Sequence, residues 1–278
     1  MKIRLGYACI SKTLDYITTS SSYTYTHFQQ EKDYDKLKRI IRSNLEDLEK
    51  IIDYNIANNI HFFRLSSKLI PLATHDEVEL DYITPYQEEY KRVGEKIRES
   101  HMRVDFHPDQ FCILNSVKEG VIRNSKKILK YHYQLLEAFQ IEPKRMVLHV
   151  GGNTFGKEKS LTRFVHQFKT LPKEIQESIV IENDDKVFNI MDCLTLSKRV
   201  GVPVVLDYHH YCCNPGGVDL SDYLKDIFET WKGETPKMHF SSPKNHSKKD
   251  FRSHHDYIDA EEFIKFIELL KKENRDVD

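Results

Sequence analysis

Short apolar, β-rich runs alternate with longer segments of helical period from one end of the chain to the other. That alternation constrains the fold more than any other feature of the sequence. The strand candidates are 3–9, 60–66, 103–107, 145–150, 178–183, 203–208 and 237–241, with helices expected near 36–58, 86–100, 118–139, 159–170, 189–200, 219–231 and 260–273. Within 36–58, Leu37, Ile40, Ile41, Leu45, Leu48, Ile51 and Ile52 recur at three- and four-residue steps and form one apolar stripe. Strands that each feed a helix call for parallel pairing through right-handed crossovers. No G-x-G-x-x-G or G-x-x-x-x-G-K-[ST] follows a strand, which removes the commonest nucleotide-binding form of the open, doubly wound sheet. The expected architecture is therefore a TIM-type (β/α)8 barrel, as a single domain over 1–278. The last helix runs to about Lys272, and Asp276-Val277-Asp278 reads as the threshold of an eighth strand. The barrel is thus expected to lack that strand, as a C-terminally truncated chain would. The low-complexity stretch 18–26 (TTSSSYTYT) is expected to be a long loop over the barrel mouth.

Charge and cysteine usage narrow the setting. A formal net charge of −1 gives no global positive field, so a nucleic-acid partner would have to be held by local basic patches. Two stretches qualify, 118–130 (KEGVIRNSKKILK) and 244–252 (KNHSKKDFR). Cys9, Cys112, Cys193, Cys212 and Cys213 contain no C-x-x-C pair, and the vicinal pair has poor geometry for a disulfide. A thiol-reduced cytoplasm is expected. No apolar run approaches the roughly 18 residues of a membrane helix.

Chemistry concentrates at the strand ends. His107 ends the third strand, His149 the fourth, Glu182 the fifth, and Asp207 the sixth, with His209 and His210 behind it. Lys237 and His239 belong to the seventh, His75 lies in the loop after the second, and His254 and His255 follow the seventh. In a β/α barrel such residues converge on the C-terminal face. A lone buried histidine is usually a hydrogen-bonded core residue, but that account would have to be repeated strand after strand. Buried carboxylates are rarely unpaired, because an isolated ionised one is very costly to desolvate. A shared metal centre answers all of them at once. Two carboxylates and several imidazoles exceed one tetrahedral site, so a multinuclear centre is expected. Mixed histidine and carboxylate ligation suits manganese or zinc, and multinuclear centres suit phosphate-ester hydrolysis. A metal-dependent sugar isomerase is the main rival, because it too gathers such residues at a barrel mouth; a non-catalytic lesion-binding or metal-storage protein is another.

The motifs add a resemblance. LGY at 5–7, RLSSKLIPLATH at 64–75, FHPDQF at 106–111, LHVGG at 148–152, IENDD at 181–185, LDYHHYCCNP at 206–215, PKMHFSSPK at 236–244 and RSHHDYIDA at 252–260 occur in order along the chain. Together they resemble the UV damage endonuclease family, TIM-barrel repair nucleases related in architecture to the abasic-site endonucleases of the endonuclease IV type. The resemblance implies a soluble, monomeric enzyme acting on damaged double-stranded DNA. It would nick immediately 5′ to ultraviolet photoproducts, leave a 3′-hydroxyl and a 5′-phosphate, and depend on two or three divalent ions of the Mn2+ type.

It places metal-centre positions on His75, His107, His149, Glu182, Asp207, His210, His239 and His254, with His209 and His255 as bystanders. Glu182, Lys237 and His75 carry the catalytic assignments, and Lys237 matches a lysine that is carboxylated in the family. The family's last ligand, a Glu on the eighth strand, would lie beyond Asp278. Gln110 and Phe111 match residues inserted into the duplex to probe the lesion, and Tyr7 matches a lesion-contacting position. Opening a stacked step costs a few kcal/mol, less where damage has weakened pairing, so a planar apolar wedge is physically apt. Arg123, Lys126, Lys127 and Lys244 are candidate phosphate contacts. Cys112, Cys212 and Cys213 are read as packing residues, and Trp231 as helix packing.

Overall fold

The computed structural model describes residues 1–247 and 249–278; Lys248, inside the basic stretch 244–252, lies outside the described residues. Among the described residues seven strands are defined: β1 (Gly6–Ala8), β2 (Phe62–Leu65), β3 (Arg103–Phe106), β4 (Met146–His149), β5 (Ile179–Glu182), β6 (Val204–Asp207) and β7 (Met238–His239). They pair in chain order, and each recorded pairing is parallel. The helices are α1 (Tyr25–Glu31), α2 (Tyr34–Ala57), α3 (Gln87–Glu99), α4 (Glu119–Ala138), α5 (Lys157–Phe168), α6 (Lys173–Ser178), α7 (Ile190–Val200), α8 (Tyr208–Cys213), α9 (Leu224–Thr230) and α10 (Ala260–Leu270). Order and direction are those of a TIM-type β/α barrel.

The sequence reading missed α1, α6 and α8, each of seven residues or fewer. None is long enough to display a hydrophobic period. The stretch 18–26 is not wholly loop: Thr24 caps α1, which starts at Tyr25. Its earlier part is pinned to α2, with the Thr18 amide on Asp47 and the Ser21 amide on Asn44. No helix among the described residues is long and apolar enough to cross a membrane.

The described residues group into two compact units. One comprises Arg4–Asp109 and Lys127–Met146. In it β1 runs beside β2 in the register Gly6↔Phe62, so close that a Cβ on Gly6 would collide with the Phe62 carbonyl oxygen. The stripe of α2 buries Leu37, Ile41, Leu45, Leu48, Ile51 and Ile52, and Asp33 caps its start by accepting from the Lys36 amide. His132 on α4 is 1% exposed, and burial drives its imidazole down to about 3, so it stays neutral.

The other unit comprises Met1–Ile3, Gln110–Lys126 and Val147–Asp278. Val147, Val180 and Val205 are fully buried and form one cluster with Trp231. The Trp231 indole N–H donates to the Val204 carbonyl at 2.9 Å. The residue read as helix packing is therefore a plug against strand valines. Period two along each strand puts His149, Glu182 and Asp207 on the same face as those valines, one layer towards the strand ends. No eighth strand is defined among the described residues. The Asp278 amide donates to the Pro236 carbonyl and the Asp278 carbonyl accepts from the Met238 amide, while Val277 bridges Ile3 in parallel.

Candidate metal centre

β5 and β6 each finish on a carboxylate, with Glu182 1% and Asp207 5% exposed. Below them lies the valine layer, so neither can recruit a full hydration shell. Asp207 registers the consequence: burial, then the Glu182 charge beside it, push its carboxyl up to about 6. Two buried like charges on one face need a cation or a proton between them.

Imidazoles surround this pair. His149 Nε2 lies 3.0 Å from Glu182 Oε2, and His239 Nδ1 contacts Glu182 Oε1. Burial pulls His149 down, but the Glu182 carboxylate outweighs it and the net shift is upward. The register Asp207↔His239 brings His239 Nδ1 to 3.9 Å from Asp207 Oδ2.

The chain turns into α8 immediately after Asp207, whose Oδ1 caps the helix by accepting from the His210 amide at 2.8 Å. The turn returns the His210 ring to the carboxylates, with Nδ1 2.9 Å from the Asn183 carbonyl and 3.6 Å from Asp207 Oδ2. Donation to a carbonyl assigns the proton to Nδ1 and leaves the lone pair on Nε2, as metal-ligating histidines are commonly arranged. Ligand atoms of Glu182, Asp207 and His210 all lie within 4.8 Å of one another.

The neighbouring histidines separate by geometry. His209 is 2% exposed and its Nε2 lies 3.7 Å from Cys213 Sγ, outside that trio. His254 has its ring 5.0 Å from His209 and 5.7 Å from His210, with Nδ1 2.7 Å from Ser241 Oγ. His255 instead engages the Tyr257 amide through Nδ1 at 3.0 Å. Lys237 is 1% exposed, two positions before His239.

Three residues that build this site went unassigned in the sequence reading. Asn183, fully buried, accepts from the Asp207 amide at 2.9 Å and donates to the Asp207 carbonyl at 3.0 Å, locking the ends of β5 and β6 together. Asp185 receives two guanidinium N–H groups from Arg252, which tethers the loop carrying His254. The IENDD motif contained both Asn183 and Asp185, but nothing in a lone sequence distinguishes a ligand from its support.

The remaining sequence-assigned residues are placed as follows. Gln110 and Phe111 are exposed, Phe111 at 67%, in the unit that holds Glu182. In the other unit, Tyr7 donates to Asn55 at 2.9 Å and lies against Phe63, and burial raises its phenol. His107 has Nδ1 3.0 Å from the Pro108 carbonyl, again leaving the lone pair on Nε2. His75 is stacked on Tyr25 at 3.8 Å, and its Nδ1 accepts from the Glu77 amide at 3.3 Å. Lys127 is engaged with Asp76 and Lys126 with Thr170, which weakens both as phosphate contacts; Arg123 is exposed.

Fold and donor set define a β/α-barrel protein with a candidate metal centre at the carboxyl ends of its strands. The family described as UV-endonuclease UvdE matches residues 3–275. A UV DNA damage endonuclease of Bacillus cereus (strain B4264) is 39% identical over 285 residues, covering 100% of this chain and 89% of that protein. The corresponding protein of Bacillus anthracis (strain A0248) gives the same identity and the same coverage, 39%, 100% and 89%. The chain belongs to the UV-endonuclease UvdE family.

Among solved structures, SacUVDE superposes with a TM-score of 0.91 at 33% identity, over 99% of this chain and 91% of its own. Endonuclease IV from Thermus thermophilus has a TM-score of 0.54 at 11% identity, over 92% of this chain and 81% of its own. D-psicose 3-epimerase from Clostridium cellulolyticum has 0.51 at 11%, over 70% and 68%. Those last two share the fold alone.

Proposed function

We propose that this chain is a metal-dependent DNA repair endonuclease that nicks damaged duplex DNA immediately 5′ to ultraviolet photoproducts, leaving a 3′-hydroxyl and a 5′-phosphate. The observation that carries the proposal is the Glu182 carboxylate, buried and gripped on both oxygens by His149 and His239, in a chain of this family. The donor set fits a divalent, manganese-type centre: two desolvated carboxylates share one face, and His210 has its Nδ1 committed to a carbonyl.

His149, Glu182, Asp207, His210, His239 and His254 would hold the ions, two or three in number, and the resemblance adds His107 and His75 to the centre, His75 with a catalytic assignment. When bound, such ions supply a lowered pKa for water and neutralise charge on the leaving oxygen. The chain's own part is to hold the ligands without reorganisation. Asn183 keeps the two carboxylate strands in register, and the Asp207 cap orients His210. Lys237 is read as the lysine that the resemblance marks for carboxylation, since a carbamate would turn a buried cation into an anion beside cations. Cutting requires a bound lesion, and Gln110 and Phe111 are proposed to enter the duplex there, with Tyr7 on the same task.

UV-irradiated supercoiled plasmid with added manganese is the test. Conversion to nicked circles, with little on unirradiated plasmid and none in chelator, is expected; metal-loaded protein that leaves irradiated plasmid intact would sink the proposal. Replacing Gln110 and Phe111 together by Ala should leave the bound metal unchanged while preference for irradiated over intact plasmid falls about tenfold or more. An unaltered preference would discard the wedge role.

A further inference from the structure

The loop that follows β4, residues 150–156, is unusual for a surface segment. Phe155, in the turn just before α5, is 73% exposed and holds a φ of +65°, a conformation non-glycine residues seldom adopt. Single exposed hydrophobic residues are common and need no explanation. An exposed ring held on a strained and heavily braced backbone does.

The bracing is specific. Asn115 donates to the Gly152 carbonyl at 2.8 Å and accepts from the Gly152 amide at 3.1 Å, a two-way lock between this loop and the segment carrying Gln110 and Phe111. Arg163, on α5, donates Nε to the Asn115 carbonyl at 2.8 Å and a terminal nitrogen to the Thr154 carbonyl at 2.6 Å. One guanidinium therefore spans both loops. Gly151, at φ +109°, admits the approach, because a Cβ there would lie 2.5 Å from Asn115 Oδ1. The loop begins immediately beyond His149, whose ring is on Glu182. Lys118, Arg123 and Lys159 are exposed on the flanking segments of the same unit, the charge an anionic backbone requires.

We propose that Phe155 is a second planar contact to the DNA, stacking on a base or sugar of the damaged duplex beside the step probed by Gln110 and Phe111. Asn115 and Arg163 act as positioning residues that fix the spacing of the two loops. The inference rests on the endonuclease reading and deepens it. A duplex is the occupant favoured here because the loop shares its brace with the segment carrying Gln110 and Phe111, and exposed cations stand on the flanking segments. A braced loop suits such a stacking contact, since a ring already held in place loses less freedom when it packs on the duplex.

The experiment uses the metal-loaded chain and an oligonucleotide duplex with a single photoproduct. Phe155→Ala should raise KM about tenfold, with kcat within about threefold and metal content unchanged. Phe155→Leu should recover little and Phe155→Trp most of the affinity. Phe155→Trp also adds a reporter, because the natural chain has one tryptophan, Trp231, and it is 1% exposed. Its emission should be quenched on titration with a lesion duplex carrying a non-hydrolysable linkage at the cutting position. Arg163→Met should give a smaller rise in KM. A parent that nicks the lesion beside a Phe155→Ala variant of unchanged KM, or a Phe155→Trp emission indifferent to a duplex that binds by anisotropy, overturns the Phe155 contact alone. A metal-loaded parent that neither binds nor nicks the lesion overturns the endonuclease reading, and this contact with it.

Discussion

Replacing Glu182 by Gln is expected to reduce nicking of irradiated plasmid by about a thousandfold or more and to lower bound manganese in the same preparation. Gln keeps the shape and buried volume of Glu but removes the charge. Glu182 is the residue on which the site converges: 1% exposed, His149 on one oxygen, His239 on the other, and Asp207 close enough to feel its field. Loss of this charge leaves the remaining donors to hold cations with one carboxylate fewer, which weakens every member. Because the change is nearly isosteric, the variant should remain folded, and its circular dichroism should match the parent. Metal content by elemental analysis, read against the nicking assay, decides the matter. A Gln variant that keeps full metal occupancy would remove Glu182 from the ligands; one that keeps full activity would remove the centre from the chemistry.

Asp207→Asn should separate stability from function. The Asp207 carboxyl sits at about 6 in the folded protein against 3.8 as its ordinary value. A raised carboxyl pKa means that folding disfavours the charged form, so its contribution to stability is present below the unfolded pKa and lost as pH rises through the folded one. Above pH 6 the metal-free protein therefore carries an electrostatic penalty, bounded by the roughly two-unit shift at about 3 kcal/mol. Asn removes the charge while its side-chain oxygen can still accept from the His210 amide. The expected result in chelator is a variant more stable than the parent at pH 8 by up to about 3 kcal/mol, with the advantage vanishing near pH 4. With manganese the order reverses, because the parent gains binding energy that the variant cannot. Urea melts at the two pH values, with and without metal, test both halves. Equal metal-free stability of parent and variant at pH 8 would show that the carboxylate repulsion is not there.

Much of the architecture was legible because it depends on local pattern. The α2 stripe from Leu37 to Ile52 shows a helical period, and β5 and β6 are short apolar runs ending on an acid. What escaped were elements too short to show a period and supports whose role is only spatial. α8 is six residues long and exists because Asp207 caps it, which no periodicity could reveal. His210 and His209 are adjacent and chemically identical, and the resemblance preferred the former; the structure shows a turn that returns the His210 ring to the carboxylates and leaves His209 beside Cys213. Asn183 and the Asp185–Arg252 tether were invisible as supports because their partners lie 24 and 67 positions away. The partners of Trp231, read as a packing residue, escaped for the same reason: its cluster with Val147, Val180 and Val205 joins strands distant in sequence.

The sequence by itself determined the order of the seven strands and the longer helices, the parallel direction of the sheet, and which acids and histidines fall at strand ends. Those follow from side-chain periodicity and from the handedness of crossovers, both local properties of the chain. Only the tertiary structure decided which ring nitrogens keep a lone pair, how far burial lifts Asp207, and that residues 276–278 hydrogen-bond beside β7. It alone placed the Phe155 loop on the same brace as the segment carrying Gln110 and Phe111. Protonation, desolvation and loop spacing depend on groups brought within a few ångströms from remote parts of the chain, and that information exists only after the backbone has closed on itself.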